Sequence, residues 1–128
     1  MSAVYGSAAV ALLLAVLPGA GAAQTYPNKP IRFIVPYGPG GPEDAIGRML
    51  GKKLTESLGH PVVIDNRSGA TTIIGTEIAA KSPPDGYTLL LISTTHAVNP
   101  GLFQKLPYDP IKDFAPVTLI VSTPFMLS

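Results

Sequence analysis

The feature that most constrains this chain is a short apolar run that breaks into a glycine- and proline-rich loop and continues as a helix. The run at residues 33–35 is Phe-Ile-Val and lies between Pro30 and Pro36. A β-branched and aromatic run bounded in this way is typical of a buried strand. Glycines follow at positions 38, 40 and 41, so the backbone there can adopt positive φ and lie close to a guest.

The residues after the glycines predict a helix start. Pro42 suits the first helical position, and Glu43 and Asp44 place acidic side chains in the first turn, where they favour the positive end of the helix dipole. Unpaired N–H groups at such a start form an anion site. The string is neither a P-loop nor a dinucleotide fingerprint, because no Gly-Lys-Ser/Thr follows and Glu43 stands at the third glycine position. A tight turn without a ligand is the alternative.

Apolar residues at helical spacing then predict a helix that Gly59 ends. A second strand at residues 62–66 follows after a two-residue link, and strand, helix and strand with short links imply a parallel pair joined by a right-handed crossover. The apolar face of the helix is predicted to carry Ala45, Ile46, Met49, Leu50, Leu54 and Leu58.

The second half of the chain predicts a further helix and two further strands. Thr71 or Thr72 is expected to cap the helix. Its inward residues are predicted to be Ile74, Ile78 and Ala79. The remaining segments are a third strand at 87–92 buried on both faces, a polar loop at 93–100, one helical turn at 101–105, an irregular stretch at 106–110 and a fourth strand at 117–121.

The alternation of strands and helices predicts an α/β fold with a doubly wound parallel sheet. Ligands of such sheets bind outside the carboxyl ends of the strands. Three loops rich in Gly, Ser and Thr would therefore meet at one edge, namely residues 37–44, 67–72 and 93–96. Their convergence favours a ligand site over a plain turn.

Composition excludes several classes of function. The chain has 128 residues, 46% of them hydrophobic, and a formal charge of +1 without a basic run, which predicts one folded domain and no nucleic-acid partner. It has no cysteine, and His60 and His96 lie far apart. No metal or cofactor site is predicted.

Residues 1–23 form a separate block that predicts a secretory signal peptide. An apolar run at 8–17 precedes an Ala-x-Ala pattern at Ala20 and Ala22, as at a cleavage site. The run is too short to span a bilayer comfortably, and no Lys or Arg precedes it. The folded part is expected at residues 24–128.

Seven blocks of sequence, in order, resemble one known family. The chain is similar to the tripartite tricarboxylate transporter substrate-binding proteins, the Bug family of bacterial periplasmic solute receptors. The blocks are Tyr-Pro-x-Lys-Pro-Ile-Arg at 26–32, Val-Pro-Tyr at 35–37 leading to Gly40, Gly41, Asp44 and Arg48, Asn-Arg-x-Gly-Ala at 66–70, Pro-Asp-Gly-Tyr-Thr-Leu-Leu at 84–90, His-Ala-x-Asn-Pro at 96–100, Leu-Pro-Tyr-Asp-Pro at 106–110 and Asp-Phe-Ala-Pro-Val at 113–117.

The resemblance implies a two-lobed periplasmic-binding-protein fold of type II that closes on a small carboxylate solute and delivers it to membrane permease subunits. This chain is expected to be the N-terminal lobe, without the second lobe and too incomplete to bind tightly alone. Main-chain amides and ordered water would hold the carboxylate. The site residues that the resemblance implies are Tyr37, Gly40, Gly41, Glu43, Asp44, Ser93, Thr94, Thr95 and His96.

Some details of the implied site stay open. Asp44 is expected to brace the loop by accepting backbone N–H bonds, since like charges repel, and His96 is either a donor to the solute or a structural residue. Glu43 and the bulky turn at residues 70–72 depart from the family pattern. An α/β enzyme that uses the loop for a phosphate or acyl group is the rival class, although no nucleophile and base pair is visible. A chain without activity of its own is the third reading.

Overall fold

The computed structural model describes residues 25–122, which form a three-stranded parallel sheet with three helices. The predicted export signal at residues 1–23 lies outside this part. In chain order the elements are β1 (Ile31–Val35), α1 (Pro42–Leu58), β2 (Val62–Asn66), α2 (Ile73–Ala80), β3 (Thr88–Leu90) and α3 (Thr94–Leu102). None of the helices in the described part is long and apolar enough to cross a membrane.

The sheet has the strand order β2-β1-β3, and both pairings are parallel. Ile31 lies opposite Val62, and Arg32 lies opposite Thr88. The chain leaves β1 in one direction to form β2 and then returns past it to form β3. Because crossovers between parallel strands are right-handed as a rule, two crossovers in opposite directions predict that α1 and α2 lie on opposite faces of the sheet. The predicted α/β fold with a parallel sheet is confirmed.

The core lies between α1 and the sheet and is built on Phe33, Val35 and Leu91. Two glycines allow the close contact. A Cβ on Gly47 would lie 2.9 Å from Val35 Cγ2, and one on Gly51 would lie 2.9 Å from Ile64 Cδ1. The predicted inward positions of Ala45 and Met49 are wrong, because Ala45 is exposed and Met49 is 61% exposed. The helix faces the sheet along a stripe centred on its glycines.

The predicted ends of α1 are confirmed. Pro42 is the first helical residue, and Gly59 adopts φ 69° at the carboxyl end. Its N–H donates to Thr55 O at 3.0 Å. Glycine reaches this left-handed conformation without the penalty that a Cβ imposes.

Two predictions for α2 are wrong in detail. Thr72 stands at the N-cap position, but it has φ 72° and makes no side-chain cap bond. Ile74 is 47% exposed rather than inward. The helix approaches the neighbouring loops through Gly75 instead, where a Cβ would lie 2.6 Å from Arg67 O and 2.7 Å from Pro36 Cβ. Ile74, which precedes Gly75, is consequently exposed.

The third strand and the polar loop also differ from their predictions. β3 is an edge strand, so its residues are half-buried rather than buried on both faces. The segment expected as a loop and a later turn is one helix, α3, that ends at Leu102 and contains Pro100. The proline lies in the last turn, where its missing N–H costs one helical hydrogen bond.

The predicted fourth strand at residues 117–121 is absent from the described sheet. Val117 is 82% exposed and Leu119 is 80% exposed, and these residues make no ladder bond to either edge strand. Strand propensity describes fit to a pleated, half-buried surface. An apolar run without a neighbouring strand therefore does not form one.

Candidate functional site

One tyrosine joins two of the three predicted loops. The Oη of Tyr37, just after β1, lies 2.6 Å from Ser93 Oγ and 2.8 Å from Thr95 Oγ1. The Ser93 hydroxyl is at the N-cap position of α3 but makes no cap bond, and its bond to Tyr37 accounts for this. The loops after β1 and β3 therefore meet at the carboxyl edge of the sheet.

Asp44 braces the glycine loop from inside the protein. The residue is 4% exposed. Its Oδ2 accepts the Gly40 N–H at 2.9 Å and the Arg48 Nε–H at 2.9 Å, and its Oδ1 accepts Asn66 Nδ2 at 2.9 Å. Asn66 also donates to Tyr37 O at 3.2 Å. The bracing role predicted for Asp44 thus agrees with its contacts.

The same bonds fix the charge of Asp44. The hydrogen bond from Arg48 contributes most, followed by the Gly40 N–H and Asn66, and together they lower the pKa of Asp44 from 3.8 to about 2 against the opposing effect of burial. The carboxylate is ionised at neutral pH. The Gly40 N–H is occupied by this carboxylate and is not available to a guest.

Other N–H groups at this edge have no acceptor among the described residues. Ala45 N donates to Gly41 O at 3.0 Å, so the helical bonding of α1 begins there. The N–H groups of Gly41, Glu43 and Asp44 precede it and are unpaired within residues 25–122.

The start of α3 repeats this arrangement. His96 N donates to Ser93 O at 3.0 Å, whereas the N–H groups of Thr94 and Thr95 have no acceptor in the described part. Two helix N-termini consequently lie at one edge of the sheet, and the Tyr37 hydroxyl joins the loop that leads into α1 to the start of α3. Each presents unpaired N–H groups and the positive end of a helix dipole.

The Glu43 side chain lies beside the loop. Its Oε2 is 3.8 Å from the position that a Cβ on Gly41 would take. No ion pair of Glu43 occurs among the described residues. An uncompensated carboxylate therefore stands next to unpaired amides.

The third predicted loop is connected to α3 through Asn99, which is not among the predicted site residues. Asn99 Nδ2 donates to Thr71 O at 2.9 Å. The turn around Thr71 is left-handed at three consecutive positions, with φ 46° at Ala70, 54° at Thr71 and 72° at Thr72. All three loops thus reach the same edge.

His96 is placed apart from the hydroxyl groups. Its Nε2 donates to Pro110 O at 3.0 Å. Its ring stacks on Tyr108 with a centroid distance of 6.0 Å and meets Phe114 edge-on at 5.3 Å. The imidazole fastens the segment after α3 to that helix, which agrees with the structural alternative for this residue.

Arg48, Asn66 and Asn99 are the polar contacts missing from the predicted set. Arg48 and Asn66 stand in the motifs of the resemblance. The i,i+4 spacing of Asp44 and Arg48 in the predicted helix is a signal for their pair, whereas only the fold reveals that Asn66 meets Asp44. Asn99 likewise stands in a motif of the resemblance, His-Ala-x-Asn-Pro at 96–100, but only the fold reveals its contact with Thr71.

Two grooves of about 340 Å³ each lie beside β2 and are not lined by Tyr37, Ser93 or Thr95. One runs between α1 and β2 past Thr55 and Val62, and the other lies beside Arg32 and Asp65. Neither is lined by a predicted site residue. Within residues 25–122 no group of three His, Cys, Asp or Glu side chains could hold a metal ion.

Comparison with known proteins gives one consistent result. The family described as "Tripartite tricarboxylate transporter family receptor" (TctC) matches residues 46–128. Protein BugT of Bordetella pertussis is 47% identical over 107 residues, which are 82% of this chain and 33% of BugT. The chain therefore spans about a third of the length of this curated relative.

Solved structures agree. A periplasmic transporter is 50% identical with a TM-score of 0.70, over 73% of this chain and 32% of that one. MatC from Rhodopseudomonas palustris with bound malate is 36% identical with a TM-score of 0.68, and the match covers 72% of this chain and 32% of MatC. A protein from R. palustris with adipate is 36% identical with a TM-score of 0.64, and the match covers 66% of this chain and 29% of that protein. With a family match over residues 46–128, this chain belongs to the tripartite tricarboxylate transporter receptor family.

Proposed function

We propose that this chain is part of the periplasmic substrate-binding component of a tripartite tricarboxylate-type transporter, and that it binds a carboxylate group of a small solute. The two helix N-termini at the carboxyl edge of the sheet, where Tyr37 joins the loop before α1 to the start of α3, carry this proposal. Family membership supports the receptor role, and the malate and adipate in two structural relatives support the solute class.

Main-chain amides are the proposed donors. The N–H groups of Gly41 and Glu43 at α1 and of Thr94 and Thr95 at α3 have no acceptor in the described part. A carboxylate at a helix N-terminus gains about 0.3–2 kcal/mol from the dipole, and charge-assisted hydrogen bonds are stronger than neutral ones. Arg48 does not act as the counter-charge, because its guanidinium is paired with Asp44.

The remaining predicted residues take supporting roles in this proposal. The Ser93 and Thr95 hydroxyls and Tyr37 orient the start of α3, and Asp44 holds Gly40 so that the loop keeps its shape. Residues 24–128 would supply one wall of a two-lobed site that closes on the solute and presents it to the permease subunits. A single wall leaves the solute exposed to water, so binding to this chain alone should be weak.

The proposal favours a receptor over an enzyme. His96 uses Nε2 on Pro110 O and packs between two aromatic rings, so it does not stand as a base beside the Ser93 hydroxyl. The family supports the same preference, because its members are solute receptors.

Amide NMR of the 128-residue chain tests the site even if binding is weak. We expect malate or adipate to shift the amide signals of Gly41, Glu43, Thr94 and Thr95 in a saturable way. The diamide of malate, which lacks the negative charges, should leave them in place at the same pH and ionic strength. Signals from the groove around Thr55 serve as an internal control.

Two outcomes would contradict the proposal. One is a saturable shift confined to residues that line the two grooves beside β2. The other is an absence of any saturable shift at the edge for every dicarboxylate and acidic amino acid, in a chain whose amide spectrum shows the folded state.

A further inference from the structure

We propose that Asn99 is a positioning residue of this site, and that its side-chain amide holds residues 70–72 in a left-handed conformation. The assignment of this turn to a solute site rests on the proposed function. The conformational role of Asn99 rests on the described contacts alone.

The turn itself is strained. Gly69 has φ 134°, and φ is 46° at Ala70, 54° at Thr71 and 72° at Thr72. Residues with a Cβ rarely adopt positive φ, and bulky or β-branched ones such as threonine are genuine outliers there. Conformations of this kind persist only where surrounding contacts enforce them.

Asn99 makes the contact that reaches across from another element. It is completely buried, and its Nδ2 donates to Thr71 O at 2.9 Å and approaches Thr72 Oγ1 at 3.4 Å. Its Oδ1 has no donor among the described residues. Because a buried amide oxygen without a donor is unfavourable, the two N–H donors are what this side chain contributes.

Local bonds complete the turn but do not replace Asn99. Ile73 N donates to Ala70 O at 3.1 Å, and the Thr76 hydroxyl donates to Thr72 O at 2.8 Å. Both bonds join the turn to α2, which follows it directly. Only Asn99 among the described residues connects the turn to α3, the helix that also contacts Tyr37.

A glycine substitution separates enforced strain from simple packing. Glycine adopts positive φ at little cost, so Thr71→Gly removes part of the strain while leaving the carbonyl that Asn99 contacts. Thr71 is exposed and its side chain makes no hydrogen bond within residues 25–122. Ala79→Gly in α2 is the matched control, since residue 79 is helical and gains nothing from positive φ.

The test combines chemical denaturation with backbone coupling constants that report φ. Asn99→Ala should lower the folding equilibrium constant by roughly tenfold and move residues 70–72 out of the left-handed region. Thr71→Gly alone should raise the constant by roughly threefold. The double variant Thr71→Gly/Asn99→Ala should keep a left-handed φ at residue 71 and recover a large part of the loss, whereas Ala79→Gly should recover none of it.

Three results would overturn the inference. The first is that Thr71→Gly destabilises the otherwise unaltered chain. The second is that residues 70–72 keep their positive φ in Asn99→Ala. The third is that Asn99→Ala and the double variant lower the folding equilibrium constant equally. If Asn99→Ala does not fold, the effect of Thr71→Gly on the unaltered chain decides alone.

These measurements need no ligand and are therefore separate from the proposed function. If Thr71→Gly restores the turn but malate shifts no amide signal at the edge, the role of Asn99 stands and the proposed solute site is contradicted. Where malate does bind, Asn99→Ala should weaken the amide shifts, and Thr71→Gly in the same chain should restore them.

Discussion

The Tyr37 hydroxyl and the Thr95 hydroxyl lie 2.8 Å apart although 58 positions separate them in the chain. Their bond, with that to Ser93, joins the loop after β1 to the first turn of α3. Helix α3 in turn contacts the left-handed turn through Asn99 and the following segment through His96. A short helix thereby connects the loops at the edge of the sheet.

Tyr37→Phe should destabilise the fold by about 1–2 kcal/mol, because two partly buried hydrogen bonds are lost together. Tyr108→Phe is the matched control. The Tyr108 hydroxyl is buried without a partner among the described residues, so its removal should be neutral or slightly stabilising. Urea denaturation of both variants checks the pair, and equal losses would contradict the assigned role of Tyr37.

The stabilising effect of Asp44 should depend on pH in one direction. Its pKa is lowered to about 2 in the folded protein from an ordinary value of 3.8, so its contribution is fully present above the ordinary value and is lost as the pH falls toward 2. The difference in unfolding free energy between the unaltered chain and Asp44→Asn should shrink over that range. Glu56→Gln, at an exposed pair with Lys53, controls for removal of one charge. A difference that stays constant from pH 6 to about pH 2 would be inconsistent with the ion pair to Arg48.

Glu43→Thr should strengthen carboxylate binding by about fivefold at low salt, since one negative charge near the proposed donors disappears. The gain should decrease as salt is added. Glu56→Thr, in the last turn of the same helix, is the control and should have little effect. Amide titrations with malate measure both variants, and unchanged affinity for Glu43→Thr would mean that its carboxylate does not face the bound group.

Two glycines in different helices should respond oppositely to a methyl group. Gly75→Ala should cost about 1–3 kcal/mol, because the new Cβ would lie 2.6 Å from the Arg67 carbonyl oxygen and 2.7 Å from Pro36 Cβ. Nothing lies within 4 Å of a Cβ on Gly101, so Gly101→Ala should stabilise α3 by about 0.5–1 kcal/mol. Thermal unfolding of both variants tests the packing of α2 against the loops, and a tolerated Gly75→Ala would show that this contact is looser than described.

Local signals were sufficient for the first half of the fold. The run at residues 33–35, Pro42 and Gly59 each act through their own backbone or their immediate neighbours, so their effects are visible in sequence. The inward position of Met49 was mispredicted because hydrophobic spacing does not reveal that two glycines make the closest helix contact. The prediction of a strand at residues 117–121 was wrong for a related reason. A strand must pair with a neighbouring strand, and residue propensities do not describe that neighbour.

The convergence of the three loops was predictable from the sequence, but the hydrogen bonds that join them were not. Parallel topology brings the carboxyl ends of strands together, which is why the three loops could be assigned to one edge before any coordinates. The hydrogen-bond partner of each side chain does not follow from topology in this way. The bonds from Asn66 to Asp44 and from Asn99 to Thr71 cross between elements, and no local pattern encodes them. The pair of Arg48 and Asp44 is different, because both residues lie in α1 four positions apart, a spacing that is visible in the sequence.

Because α1 packs closely against the sheet, buried contacts fix the position of its amino-terminal amides. Gly51 lies roughly 14 Å along the helix axis from Pro42, yet the methyl groups of Val35 and Ile64 leave the helix no room to slide at Gly47 and Gly51. A bulkier residue at either glycine would push the whole helix, including its free amino-terminal amides, out of place. In the proposed receptor, variants that impair solute binding should therefore also be found on the buried side of α1, among residues that do not contact the solute.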